Sequence, residues 1–295
     1  MNYLRNQNGI ALIVTLLVLA LITAMVVEFA YGVYTGTNNL YNWRDSQRLS
    51  LMAKSGINVT AKYLKTMPKD KFTEAVELPV ENPFEDFNGI VNVRIEDEHA
   101  KFNLNALVFP TGDPNNDIIE AFKGLLEILS LDKKIADRIV DWIDSNSEAR
   151  LPDSEIEAKN LVLNSVDELL LIKGITRDDY SKLLPYITVN EEREERTHLY
   201  ININAAQKPV LMCLSKDLDD KKAELIINKR KIEPFGDNNN INTIIGSIQL
   251  SPQITLIYNG KIFSITSTAL SGGVKRIIET VFDTDKDKIK YWKEY

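Results

Sequence analysis

From Ile10 to Val27 the chain carries no charged side chain and only two hydroxyls, Thr15 and Thr23. As a helix, that run is about 27 Å long at 1.5 Å per residue, close to the thickness of a bilayer's hydrocarbon core. A stretch this long and this apolar reads as a segment that spans or anchors in a membrane. The residues ahead of it are polar with a single cation, Arg5, and this weak positive bias predicts a cytoplasmic N-terminus with the rest of the chain on the far side. The competing reading is a cleaved secretory signal, which needs a small-residue cleavage site behind an apolar core of about 7–15 residues. Glu28-Phe29-Ala30-Tyr31 suits that rule poorly. The apolar pattern also continues at roughly helical spacing through Val33, Leu40, Trp43, Leu49, Met52, Ile57 and Leu64 up to Pro68, so one long helix is predicted to run out of the membrane.

The whole chain has 295 residues, enough for about two domains with real cores. Its 35 lysines and arginines against 42 aspartates and glutamates give a net charge of −7, which argues against a broadly phosphate-binding surface. One cysteine, Cys213, allows neither an internal disulfide nor a cysteine-ligated zinc. Two histidines, His99 and His198, leave little for imidazole chemistry, and neither stands in a nucleophile motif, so no enzyme is expected. Beyond the long helix, the proline- and charge-rich stretch 69–87 reads as a connection. Residues 89–96 alternate like a strand, with 102–107 as the second arm of a hairpin. Residues 117–143 form two helices broken around Ser130–Asp132. Ser165-Val-Asp-Glu168 has the capping-box pattern, and Lys173-Gly174-Ile175-Thr176 turns into a short helix ending at Pro185. A looser copy of this helical unit follows at 201–206, 210–214 and 222–230, after a solvated charge run at 190–197. The end of the chain reads as antiparallel strands, with Asn259-Gly260 as a hairpin signal and a strand over 275–282.

A polar leader ending in Gly9, followed at once by Ile10-Ala-Leu-Ile-Val14 and a helix that extends into a soluble domain, resembles the leader of type IV pilins and secretion pseudopilins. In that resemblance Gly9 and Ile10 flank the prepilin peptidase cut, and Ile10 becomes the methylated N-terminus. The fifth mature residue of such proteins is usually glutamate; here it is Val14. That departure is similar to the K-type minor pseudopilins of type II secretion systems. Further stretches carry the same likeness: Lys101–Leu107, Asp137–Asp144, Leu163–Leu169 with Lys173-Gly174-Ile175, and Ile201–Ala206. The resemblance implies an α+β fold: a pilin-like core of one long N-terminal helix and an antiparallel sheet, with an inserted helical domain of SAM-like or helix-hairpin-helix-like units. The division that follows is a leader at 1–9, the transmembrane start of the helix at 10–30, and the rest of the helix with the first strands at 31–107. A first helical domain at 108–198, a second helical hairpin unit at 199–250 and C-terminal strands at 251–295 complete it.

Between residues 141 and 157 six carboxylates, Asp141, Asp144, Glu148, Asp153, Glu155 and Glu157, face one base, Arg150. Such a concentration repels itself unless a cation sits within it, and hard oxygens beside Asn146 suit calcium. The spacing Asp144-x-Asn146-x-Glu148 lacks the glycine and closing glutamate of an EF-hand. The resemblance implies calcium in this insertion and matches Asp141, Asp144 and Glu155. The candidate ligands are therefore Asp141, Asp144, Asn146, Glu148, Glu155 and Glu157. Lys173-Gly174-Ile175 could instead offer amides to a DNA phosphate, but the acidic balance and the absence of a second glycine at Thr176 argue against nucleic acid. The function implied is structural: a minor pseudopilin in the inner membrane, at the tip of the periplasmic fibre. Its expected partners are other minor pseudopilins, the prepilin peptidase, the inner-membrane assembly platform and the outer-membrane secretin or cargo. A minor pilin of a type IV pilus and a membrane-anchored DNA-binding protein are the alternatives.

Overall fold

The computed structural model describes residues 7–67, 74–84, 87–190, 198–236, 241, 246 and 248–295. It opens with one helix, α1 (Gln7–Thr66), about 90 Å long at 1.5 Å per residue. Every residue of the apolar run from Ile10 to Val27 is exposed, and its mean hydropathy reaches 3.1. None of the described residues covers that surface. Its two hydroxyls turn inward on the helix: Thr15 Oγ1 donates to Leu12 O and Thr23 Oγ1 to Leu19 O, each at 2.8 Å, which leaves no side-chain donor asking for water. Only from Leu49 onward does one face, Leu49, Met52, Ala53, Ile57 and Leu64, become buried.

That face packs on a five-stranded antiparallel sheet. Strands β1 (Val76–Val80) and β2 (Ile90–Asp97) follow the helix, and the sheet is completed from the far end of the chain. Gly56 marks the closest approach, since a Cβ there would lie 2.3 Å from Ser267 Oγ. Between β2 and the rest of the sheet comes an insertion in two units with a hydrophobic core of its own. The first unit holds β3 (Phe102–Asn103), α2 (Asn116–Ile128), α3 (Lys134–Ile143), α4 (Arg177–Leu183) and β4 (Ile187–Thr188), with β3 and β4 parallel. The second holds β5 (Leu199–Asn202), α5 (Lys208–Cys213), α6 (Asp220–Ile232) and β6 (Ile254–Ile257), with β5 and β6 parallel. The chain then returns to the sheet as β7 (Ile262–Ser271), β8 (Val274–Asp283) and β9 (Lys288–Glu294), in the order β1-β2-β7-β8-β9.

The two units are built on the same device. In each, a short strand ends because an asparagine side chain caps the turn that follows. Asn103 Oδ1 accepts the Asn105 N–H at 2.9 Å, and Asn202 Oδ1 accepts the Asn204 N–H at 3.0 Å. The next asparagine is fully enclosed and clips distant loops together. Asn105 bridges Leu163 and Val189, while Asn204 donates to Phe235 O and Tyr258 O, both at 2.9 Å, and accepts the Phe235 N–H at 2.7 Å. An asparagine holds one acceptor and two donors on a rigid plane, so one buried side chain satisfies three backbone groups that cannot reach one another.

Several expectations are corrected here. Residues 102–107 do not form a hairpin with 90–97, because the Asn103 cap turns the backbone into a 3₁₀ turn after two residues of strand. The stretch read as a connection contains β1, whose Pro79 is tolerated because the strand lies at the sheet edge. Asn259-Gly260 is no hairpin either: β6 belongs to the insertion, and the tight turn of the final strands is Gly272-Gly273, both at positive φ. Gly260 instead makes room for Asp97, whose Oδ2 would lie 2.1 Å from a Cβ there. The boundaries of the insertion accordingly fall near 98 and 258, rather than at 108 and 250. Ser165 caps a 3₁₀ turn over Val166–Leu171, and the reciprocal capping box lies at Thr176 and Asp179. The break between α2 and α3 sits where expected, with Ser130 at φ +58°. Most of the charge run, residues 191–197, lies outside the described residues.

The insertion is fastened to the core by buried polar groups at the end of β2. Asp97 accepts the His99 N–H at 2.9 Å and the Asn202 amide at 2.6 Å. Glu98 is fully enclosed and accepts from Thr188 Oγ1, from Asn190 Nδ2 at 3.0 Å and from Lys101 Nζ at 3.2 Å. Burial alone would raise the Glu98 pKa, but the Lys101 charge and these donors outweigh it and hold it below the usual glutamate value.

Candidate cation site

Helix α3 buries Ile135, Ala136, Ile139, Val140 and Ile143 in the insertion core. The same face carries Asp141, and the helix ends at Asp144, whose extended backbone leads into an irregular segment that returns to the helix when the Asn160 N–H bonds Trp142 O at 3.0 Å. Three non-glycine residues of that segment, Asp153, Glu157 and Asn160, hold left-handed backbone at φ 67°, 65° and 50°. Asp141 and Asp144 are both 0 % exposed.

The oxygens of these carboxylates divide into two sets. Asp141 Oδ2 accepts the Arg150 N–H at 2.9 Å and the Ser154 hydroxyl, and Asp144 Oδ2 accepts the Asn146 amide at 2.9 Å. Asp141 Oδ1, Asp144 Oδ1, Glu155 Oε1 and Asn160 Oδ1 are buried and accept no hydrogen bond from the described residues. Arg150 Nε stands 3.2 Å from Asp141 Oδ1, an ion pair without hydrogen-bond alignment. The carboxylates feel one another. Asp144 is raised above the ordinary aspartate pKa first by burial and then by Asp141, against partial relief from Arg150 and Asn146. Glu155 is raised by burial, Asp141 and Asp144.

A buried acceptor without a donor costs about 1–3 kcal/mol, more when charged, and the end of α3 with the segment that follows holds four. No three acidic, histidine or cysteine side chains stand at closed metal-holding spacing among the described residues, so a cation would have to draw the oxygens inward. Hard oxygens of mixed charge are the donor type calcium takes, six to eight in a flexible shell, but one of these four, Asp141 Oδ1, already has Arg150 beside it. Three carboxylates facing one guanidinium also leave two negative charges uncompensated, the charge of one divalent ion.

Of the residues expected from the sequence, Asp141, Asp144 and Glu155 are near enough for their charges to act on one another, but they do not stand at metal-holding spacing. Asn146 spends its carbonyl oxygen on the Glu148 N–H at 2.7 Å and its amide on Asp144, which makes it a support for Asp144. Glu148 and Glu157 are exposed. Asn160 Oδ1 is a further buried acceptor without a partner, and nothing in its local spacing marks it. Gly9 and Ile10 lie in the first turns of α1 and Val14 on its exposed surface, while Met1–Asn6 lie outside the described residues.

The Lys173-Gly174-Ile175 turn is a packing element. Gly174 has φ +90°, and a Cβ there would lie 2.6 Å from Arg138 Nε. Lys173 pairs with Asp153 at 3.0 Å. At the start of α4 the Thr176 and Asp179 amides already bond the Asp179 and Thr176 side chains, with Asp178 beside them. A phosphate at that point would meet carboxylates.

Two sequence-family models described as type II secretion system protein K match residues 100–192 and 201–255, together half of the chain. The chain belongs to the type II secretion system protein K family. The two matched spans coincide with the two units of the insertion, from β3 to β4 and from β5 to β6. Among its relatives are the type II secretion system protein K of Pseudomonas aeruginosa, 27% identical over 96% of this chain and 90% of that protein, and that of Dickeya chrysanthemi, 25% identical over 82% of each. The fold resembles a chain in the crystal structure of the GspK-GspI-GspJ complex from enterotoxigenic Escherichia coli. The TM-score is 0.61 at 16% identity, covering 87% of this chain and 99% of that one.

Proposed function

We propose that this minor pseudopilin of a type II secretion system caps the tip of the periplasmic fibre. The observation that supports the reading is Val14 on the bare face of an uncharged span. In a pilin-like fibre a carboxylate at this depth is tolerable because the terminal amine of a neighbouring subunit neutralises it, and a subunit with nothing ahead of it has no such amine. The insertion makes the head far broader than the helix that carries it, which suits an end position better than a stacked one. The leader is removed between Gly9 and Ile10 by the prepilin peptidase, with methylation at Ile10. The N-terminus faces the cytoplasm and the head faces the periplasm. By its likeness to a chain crystallised with GspI and GspJ, its partners are other minor pseudopilins. Contacts with the assembly platform, the secretin and cargo complete this picture, and the work is mechanical rather than catalytic.

Calcium is part of the same reading. Asp141, Asp144, Glu155 and Asn160 would hold it, tying the end of α3 to the segment that returns at Asn160. The ion supplies positive charge; the protein's own groups orient the oxygens, with Ser154 and the Arg150 N–H fixing Asp141 and Asn146 fixing Asp144.

Two measurements test the proposal in a host with its own prepilin peptidase. Intact mass should show a chain starting at methylated Ile10; retention of Met1 overturns the processing. Quantitative mass spectrometry of sheared fibres should find a copy number that is independent of fibre length. A copy number that scales with length refutes the tip position.

A further inference from the structure

Where α1 leaves its uncharged run, Glu28 is the only charged side chain before Arg44. Three rings follow Glu28 within two turns: Phe29, Tyr31 and Tyr34 are 74 %, 68 % and 66 % exposed. At about 100° per residue Tyr31 and Tyr34 stand about 60° apart and Phe29 on the opposite side, so the rings surround the helix instead of lining one face. Their α-carbons lie about 3, 6 and 10 Å beyond that of Val27 at 1.5 Å per residue. Side chains on a helix lean toward its N-terminus, here toward the membrane, so the rings reach lower than their α-carbons. The headgroup layer flanking the hydrocarbon core is about 5–8 Å thick, and the three rings fall at its level. Tyrosine suits that layer because its ring enters the acyl boundary while its hydroxyl stays among the headgroups. Tyr41 and Trp43, about 21 and 24 Å beyond Val27, lie past it.

We infer that Phe29, Tyr31 and Tyr34 form an uncharged collar that seats α1 in the headgroup layer on the head's side of the bilayer and sets the depth of the span. The inference rests on the reading of Ile10–Val27 as a membrane span. Basic side chains, which anchor helices through lipid phosphates, are absent from this side until Arg44, about 26 Å beyond Val27. A helix held by rings alone leaves the bilayer without breaking ion pairs, which suits a subunit later drawn into a fibre. The uncharged run, about 27 Å long, is about 3 Å shorter than a core of about 30 Å. The collar therefore holds Glu28 at the edge of the core against its preference for water, and without the rings the helix should rise by that difference.

The test places a nitroxide at Ala20→Cys, Ala30→Cys or Asn38→Cys in the full chain, reconstituted in phosphatidylcholine vesicles. Depth is read from relaxation by oxygen against a water-soluble nickel chelate. Native Cys213 is buried, and the unsubstituted chain taken through the same labelling gives the background. The label at 20 should report the bilayer interior, that at 30 the headgroup layer and that at 38 water. With Phe29→Ala, Tyr31→Ser and Tyr34→Ser combined, the label at 30 should move toward water by about 3 Å, two residues' rise. Tyr31→Trp with Tyr34→Trp should keep the wild-type depth, and adding phosphatidylglycerol should leave that depth unchanged. A label at 30 as exposed as that at 38, an unmoved label in the chain without rings, or a depth that follows the phosphatidylglycerol content overturns the collar. A label at 20 in contact with water overturns the span itself, and the collar with it.

Discussion

Replacing Asp144 with asparagine should make the protein more stable without calcium and remove most of the stabilisation that calcium gives. In the wild type one Asp144 oxygen accepts the Asn146 amide at 2.9 Å, and the other is buried without a donor beside the Asp141 charge. Asparagine has the same shape. Its carbonyl can keep the Asn146 bond while its amide places two donors where the unpartnered oxygen was, facing Asp141 and Glu155. Removing one unsatisfied buried acceptor relieves about 1–3 kcal/mol. At about 2–4 °C per kcal/mol for a chain of this size, the midpoint in chelator should rise by about 2–12 °C. Calcium at a hundred times its dissociation constant stabilises the wild type by about 2.7 kcal/mol, or about 5–11 °C, and the variant forfeits most of that gain. The assay is thermal unfolding of the full chain in detergent, followed by tryptophan fluorescence, with chelator and with millimolar calcium. A variant less stable than wild type in chelator would show that Asp144 already makes a favourable contact. An unchanged calcium shift would show that Asp144 is no ligand, and either result refutes the reasoning.

Two further predictions concern the insertion and its attachment. Asn204→Ala strands the Phe235 N–H and the Phe235 and Tyr258 carbonyls in the core and should cost about 3 kcal/mol or more by urea denaturation; a loss below about 1 kcal/mol would mean that water replaces the clip. The Glu98 pKa is depressed in the folded state, so its contribution is complete above the unfolded glutamate value of about 4.3 and is lost as pH falls through the folded one. Glu98→Gln should therefore be less stable at pH 7 and lose less on acidification, and parallel midpoint curves from pH 7 to 3 would refute it. Asp144 and Glu155 are shifted the other way, so without calcium they contribute stability on acidification; being present in both proteins, they cancel in this comparison.

What could be read in the sequence is what depends on near neighbours. A membrane span needs only length and the absence of charge, and the run from Ile10 to Val27 meets both without reference to any other residue. The α2–α3 break and the pair of helical units follow from local periodicity and were likewise legible. Strand pairing was not, because β2 finds its neighbour β7 across the whole insertion and the alternating pattern of a strand says nothing about its partner. The valines of β1 were hidden behind Pro79, which is acceptable only at an edge that the sequence does not announce.

The cation site shows the same division within a few residues. The acid count from Asp141 to Glu157 signals that something positive belongs there, but it weighs every carboxylate equally. Enclosure separates them: Asp141 and Asp144 sit where the end of α3 enters the core, while Glu148 and Glu157 stand in solvent, which screens their charge and asks for no ion. Asn160 joins the set because the backbone bond to Trp142 O folds the loop back onto the helix that carries both aspartates. A side chain brought back by a turn of the backbone leaves no spacing to read. The acidic segment thus marks where the buried carboxylates lie, while which of their oxygens are left without a hydrogen bond belongs to the fold.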